Sequence, residues 1–207
     1  MLFIELLVPW GIFTVDERRR LAERMTAQRL LGGENGEHSA DSGVIMFFDS
    51  LTHVVVREVE TWVTAGRTLA PHRGPRYVVN VYVGAWAKEM SGHLITGITR
   101  QLGENEGDPD RLFRESRAVV HVLGISEGSY GLYGKAQRSS DMLEMINSAK
   151  VASPEQAPKG MTIDPVCGAK VPIEAATMLE LDGVTYGFCC THCRGHFVKR
   201  RQKSEGS

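Results

Sequence analysis

Cysteine is missing from the first 166 of the 207 residues. All four, Cys167, Cys189, Cys190 and Cys193, fall in the segment that follows, whereas a disulfide-stapled extracellular scaffold spreads its cysteines along the chain. An excess of one charge is lacking as well: 24 Lys and Arg stand against 25 Asp and Glu, a net charge of −1. There is therefore no basic footprint for nucleic acid and no polybasic signal for an anionic membrane. No uncharged apolar run approaches the ~18 residues that span a bilayer, so no membrane insertion is expected. The apolar start Met1 to Val8 has no basic flank and is interrupted by Glu5, which argues against secretion and for a cytoplasmic location. Hydrophobic residues at 42% and charged residues at 24% exclude a disordered chain and a rod.

What is present is periodic. Leu2 to Val8 alternates as a strand does, and Thr14-Val15-Asp16-Glu17 is a capping box for a helix running to Leu31. The stretch Gly32-Gly33-Glu34-Asn35-Gly36-Glu37 stops it. The apolar Val44 to Phe48 precedes a β-branched strand, His53 to Val59. After the breaker Pro71-His72-Arg73-Gly74-Pro75 a second cycle begins: strand Arg76 to Val83, helix Ala87 to Leu102 with Met90, Leu94, Ile98 and Leu102 on one face, and strand Ala118 to Leu123. Glu58 to Arg67 aligns with Ser126 to Lys135, matching an aromatic, a glycine and a base at equal offsets. The whole reads as an α+β fold, a duplicated β-α-β unit with a terminal hairpin. Ser139 to Ile146 supplies a closing helix, 1–146 a first domain, 147–160 a linker of polar, proline-containing composition, and 161–207 a second domain. That second domain is short for a core of its own, and metal is the obvious staple.

In the second domain, Met178 to Phe188 reads as two alternating strands around Asp182-Gly183, a strong hairpin signal. The second strand delivers Cys189 and Cys190 to a helix, Thr191 to Lys199. Cys189 and Cys193 are one helical turn apart, and a thiolate at a helix start is stabilised by the free amides there. Cys167 sits in the tight turn Asp164-Pro165-Val166-Cys167-Gly168. Three thiolates make an incomplete tetrahedral set, the fourth ligand being Cys190, His192, His196, water or a group of a second chain. Such a set selects soft and borderline ions, Zn, Cu or Hg, and not Mg or Ca.

The string Asp164-Pro165-Val166-Cys167-Gly168, followed by Tyr186-x-Phe188-Cys189-x-x-x-Cys193-x-x-x-Phe197, resembles the YHS domain, a treble-clef-like metal-binding module, over residues 161–200. The resemblance implies metal handling with Cys167, Cys189 and Cys193 as ligands. Cys190 departs from it, standing where the family commonly has a small residue. The larger domain resembles the tautomerase superfamily in its fused, tandem form, which implies a trimer. Tautomerase chemistry uses an amino-terminal proline, whereas this sequence starts Met1-Leu2 and Pro9 and Pro75 are internal, so no catalytic residue carries across. A substitute base would come from His53, His72, His93 or His121, and a carboxylate clamp from Arg57, Arg67, Arg76 or Arg100, none of which forms a motif. Trp10, Trp62 and Trp86 follow strands and suit packing or an interface. The basic cluster Lys199 to Lys203 reads as a solvated tail.

The expectation is a protein that captures, senses or transfers one thiophilic ion per chain, Zn or Cu foremost, on a trimeric scaffold, with a metal-donor or metal-acceptor protein as partner. The alternative is a small-molecule isomerase carrying a structural or regulatory zinc. A thiol switch through Cys190 and Cys193 is a third reading.

Overall fold

The computed structural model of the protein describes residues 2–31, 40–69, 74–151 and 156–205. The glycine-rich stop at 32–37, His72 with most of its breaker, and Ser153-Pro154 of the linker lie outside the described residues. In chain order come β1 (Leu2–Pro9), α1 (Val15–Glu23), α2 (Ala27–Leu31), α3 (Ser42–Ser50), β2 (Thr52–Val59), β3 (Val63–Thr64), β4 (Arg67–Thr68) and β5 (Tyr77–Gly84). A 3-10 turn, Ala85–Met90, leads into α4 (Ser91–Asn105), then α5 (Arg111–Arg114), β6 (Ala118–Ile125), β7 (Gly131–Leu132), β8 (Lys135–Ala136) and α6 (Ser139–Ala149). The chain closes with β9 (Met161–Ile163), β10 (Lys170–Pro172), β11 (Thr177–Leu181), β12 (Val184–Phe188) and α7 (Thr191–Glu205).

These elements form two compact units, one of residues 1–30 and 51–124, the other of 31–50 and 125–207. In the first, the sheet order is β2-β1-β5-β6, with β2 parallel and β5 antiparallel to β1. Alternation in β1 and β5 buries Ile4, Leu6, Val8, Val79, Val81 and Val83 completely, with Leu21, Met25, Leu94, Ile98 and Leu102 completing the core. Each such side chain contributes about 1.5–3 kcal/mol. Thr14 and Glu17 form the expected capping box. The helix expected to reach Leu31 instead breaks at 24–26, where Met25 is buried and Thr26 starts a new turn by accepting from Arg29 N through both its carbonyl (3.1 Å) and its hydroxyl (3.4 Å).

The other face of the sheet is more open and carries a chain of polar contacts across all four strands. Arg57 Nε lies 3.3 Å from Glu5 Oε1, Asn80 Nδ2 donates to Glu5 Oε2 (3.2 Å), and His121 Nδ1 lies 2.9 Å from Asn80 Oδ1. The short hairpins β3-β4 and β7-β8 turn at Ala65-Gly66 and Tyr133-Gly134, four residues of positive φ, at the positions the sequence alignment pairs. At the edge of the first unit Arg117 grips Glu106 with both terminal nitrogens (3.3 and 2.6 Å) and bonds the Pro75 carbonyl (2.9 Å).

In the second unit, α3 and α6 pack together, and the apolar Val44 to Phe48 proves to be helical. Asp41 starts that helix, its Oδ1 accepting from Gly43 N (2.8 Å) and from Val151 N (3.0 Å). Val44, Ile45, Met142, Leu143 and Ile146 are buried there. Residues 31–50 and 125–149 thus group with the cysteine segment and not with the sheet.

Candidate metal centre

Two loops and a helix end build the site. Asp182 (φ 54°) and Gly183 (φ 74°) make the β11-β12 turn, the conformation a two-residue Asp-Gly hairpin loop requires. A Cβ at Gly187 would meet Thr162 Cγ2 at 2.3 Å, so the glycine lets β12 lie against β9. β12 then delivers Cys189 and Cys190 to the start of α7. Here Cys190 takes the place usually held by Ser, Thr or Asp: its Sγ accepts from the backbone of Cys193, three residues on, at 3.4 Å. Cys167 comes from the turn at 164–168, closed by Gly168 N to Asp164 O (2.8 Å). Gly168 has φ 72°, and a Cβ there would meet Asp41 Cβ at 2.7 Å.

The sulfurs converge. Cys167 Sγ is 3.6 Å from Cys189 Sγ, and Cys189 Sγ is 3.7 Å from Cys193 Sγ. Sulfurs held at about 2.3 Å by one tetrahedral ion stand about 3.8 Å apart, so the donor set fits a thiophilic ion. All four cysteines are free thiols, and Cys167 and Cys193 are buried.

A fourth group joins them. Ligand atoms of Asp164, Cys167, Cys189 and Cys193 all lie within 4.8 Å of one another, whereas Cys190, His192 and His196 fall outside this set. Asp164 is fully buried. Its Oδ1 accepts from Val166 N (2.7 Å) and Cys167 N (3.3 Å), and its Oδ2 from Cys189 N (2.9 Å). Sequence reasoning read Asp164 only as part of a turn; the preference of Asp for bonding the amide two residues on could have signalled half of its role. Nε2 of His196, also buried, lies 3.3 Å from Glu144 Oε2, at ion-pair distance but without hydrogen-bond alignment.

The charges follow from this geometry. Hydrogen bonds from the Cys189 and Cys193 thiols hold Cys167 well below the ordinary thiol range, and the same contacts push Cys189 and Cys193 well above it. Cys190 is held low by Cys189 and Cys193 and by the amides at the helix start. Burial, and then the Cys167 charge, push the Asp164 carboxyl up to about 7 against the amide bonds that pull it down. Burial lowers His196. A divalent ion would replace the shared protons and relieve the crowding of negative charge.

Around the site the turn is held from outside. Asp41 N donates to the Cys167 carbonyl (3.2 Å) and Lys150 Nζ bonds the Pro165 carbonyl. Behind it, Phe197 lies against Tyr186 (4.8 Å) and Phe188 (5.4 Å), and Arg201 stacks over both Tyr186 and Phe197 while donating to the Tyr186 hydroxyl. The basic residues expected as a tail are therefore helical in α7, and Arg201 is pinned.

The alternative catalytic residues are placed otherwise. His121 and Arg57 belong to the polar chain on the sheet, His53 is exposed on β2, His93 is exposed on α4, and Arg76 bonds the Ser116 carbonyl (3.2 Å). Arg67 is exposed in β4, Arg100 is half-buried in α4, and Trp10, Trp62 and Trp86 are not among the buried core residues.

No helix among the described residues is long and apolar enough to cross a membrane. No protein-family model matches the sequence, and no curated protein matches it. Solved structures similar to the chain include Pt0534 inactivated by 2-oxo-3-pentynoate, at 16% identity and a TM-score of 0.47 over 65% of this chain and 94% of that one. They include a fused 4-OT wild-type asymmetric trimer, F6, at 14% and 0.46 over 65% and 94%. A macrophage migration inhibitory factor-like protein from Entamoeba histolytica is similar at 9% and 0.44 over 65% and 97%.

Proposed function

We propose that this chain is a metal-handling protein that binds one thiophilic ion, of the Zn, Cu or Hg class, through Cys167, Cys189 and Cys193. The observation that carries the reading is the approach of three sulfurs from a turn, a strand end and a helix start to 3.6 and 3.7 Å. Hydrogen bonds among thiols are weak, whereas one ion bonded to all three sulfurs gains from this spacing. The residues around them are those of the YHS-like pattern, and on this reading 161–207 is a YHS-type module.

Three protein sulfurs leave a position for water or an incoming ligand, which suits capture and transfer better than a closed four-sulfur site does. We further infer that residues 1–146 hold a duplicated β-α-β arrangement of tautomerase type acting as a trimeric scaffold. The open sheet face supports an oligomer, since Val55, Val119 and Leu123 are exposed on it.

The test is elemental analysis of untagged protein purified under reducing conditions, together with Zn(II) and Cu(I) titration. About one ion per chain, lost in Cys193→Ser, supports the proposal. Reduced wild type that takes up no Zn, Cu or Hg refutes it.

A further inference from the structure

We propose that Asp164 is the positioning residue of the cysteine centre, its single carboxylate setting the separation of Cys167 and Cys189 before any ion arrives, without becoming a ligand itself. The inference rests on the metal-binding reading above and goes beyond it in assigning a residue that acts on the ion only through the cysteines.

A fully buried carboxylate is costly unless its lone pairs are engaged. Those of Asp164 are engaged by main-chain amides at 2.7, 3.3 and 2.9 Å. Two of the three donors are the N–H groups of ligand residues themselves, Cys167 and Cys189. These residues are separated by 22 positions and belong to different segments, a turn and a strand end. Oδ1 bonds the turn and Oδ2 bonds the strand end, so the carboxylate is a short bridge between the two backbones that carry the facing sulfurs.

Charge-assisted bonds from amides are the strong kind. They fix the main chain at both cysteines and hence the origin of both Cβ–Sγ arms. Oδ1 already faces two of these amides and Oδ2 one, the arrangement of a group that orients ligands through their main chain. Ion binding therefore meets a site whose spacing is already set, and the ordering cost that a loose turn would add to binding is removed.

Asn at this position keeps the shape but has one acceptor oxygen. Whichever way its amide is turned, an NH2 faces a backbone N–H on one side of the bridge. Ala removes both sides.

The experiment measures Zn(II) affinity by competition with a chromophoric chelator, and the absorption spectrum of the Co(II)-loaded protein, for wild type, Asp164→Asn and Asp164→Ala. Affinity should fall about 10-fold for D164N and approach about 100-fold for D164A, the range found for residues that orient metal ligands. At saturating Co(II), the thiolate-to-metal charge-transfer bands and the ligand-field bands should match wild type, because the coordinating atoms are unchanged. Affinities within about twofold of wild type in both variants would overturn the inference and leave the metal-binding reading standing. Shifted ligand-field bands would overturn it too, by making Asp164 a ligand. Wild type that binds neither ion would end the reading on which the inference rests. Should D164A fail to fold, D164N decides alone.

Discussion

Metal uptake by this protein should strengthen steeply as pH rises. Cys189 and Cys193 are held above the ordinary thiol range by the hydrogen bonds that tie them to Cys167, so both carry protons at neutrality, whereas Cys167 is held low and carries none. An ion needs all three as thiolates. Two protons must therefore leave for each ion bound, and the apparent association constant should rise about 100-fold per pH unit, about 2.7 kcal/mol. Below pH 7 the slope steepens further. The Asp164 carboxyl, pushed up to about 7 by burial and by the Cys167 charge, then also holds a proton that a nearby cation would expel. Chelator competition between pH 6 and 8.5 gives the slope. Calorimetry in buffers of different ionisation enthalpy counts the protons independently. A slope below about one per pH unit, or binding without proton release, would refute the reasoning.

Other outcomes follow from the same contacts. Cys193→Ser should abolish uptake, while Cys190→Ser should leave affinity within a few-fold, because Ser replaces Cys190 well at the start of α7; titration of both variants checks this. Metal-free protein should be most stable below pH 3.8 as far as Asp164 is concerned and lose up to about 4 kcal/mol as pH rises from there through about 7, whereas metal-loaded protein should not; urea melts at several pH values measure it. Arg117→Met should destabilise the chain by about 1–3 kcal/mol, because the buried Glu106 carboxylate loses its two closest guanidinium bonds and keeps only Arg111 at 3.5 Å, and Glu106→Gln added to it should recover part of the loss in thermal melts. Chelation should raise amide exchange at 164–168 and 189–193 while leaving the far-ultraviolet circular dichroism of wild type nearly unchanged; cooperative unfolding on chelation would show that the ion builds the site and does not merely fill it.

Much of the local structure was legible because its causes are local. The Thr14-Glu17 capping box, the Asp182-Gly183 turn and the face of Leu94, Ile98 and Leu102 each depend on residues within one turn or one pleat. So does the meeting of Cys189 with Cys193 across one helical turn. What was not legible depends on partners far along the chain. Asp164 bonds Cys189 N across 25 residues, Asp41 bonds Val151 N across 110, and neither pairing leaves a periodic trace. The helix break at 24–26 reflects the burial of Met25 and overrides a pattern that runs on in the sequence. The Lys199 to Lys203 cluster looked like a tail because charge alone gives no sign that Arg201 would stack on Tyr186 and Phe197.

Read as a free-standing segment, 161–207 is too small for a core, and metal follows as the element that makes it fold. In the structure the segment shares its unit with α3 and α6, whose Val44, Ile45, Met142, Leu143 and Ile146 are buried alongside Val166, Val171 and Phe188. The cysteine turn is held from outside by Asp41 and Lys150 and from inside by Asp164. With these contacts in place, and with Cys167–Cys189 and Cys189–Cys193 at 3.6 and 3.7 Å against the ~3.8 Å an ion sets, the expected outcome of chelation is a chain that stays folded. On the metal-handling reading, the binding free energy would then be offset little by ordering of the chain, and an ion would leave without the fold falling with it. That separation of holding from folding is what distinguishes a site for exchange from a structural staple, and it places the test in the metal-free protein.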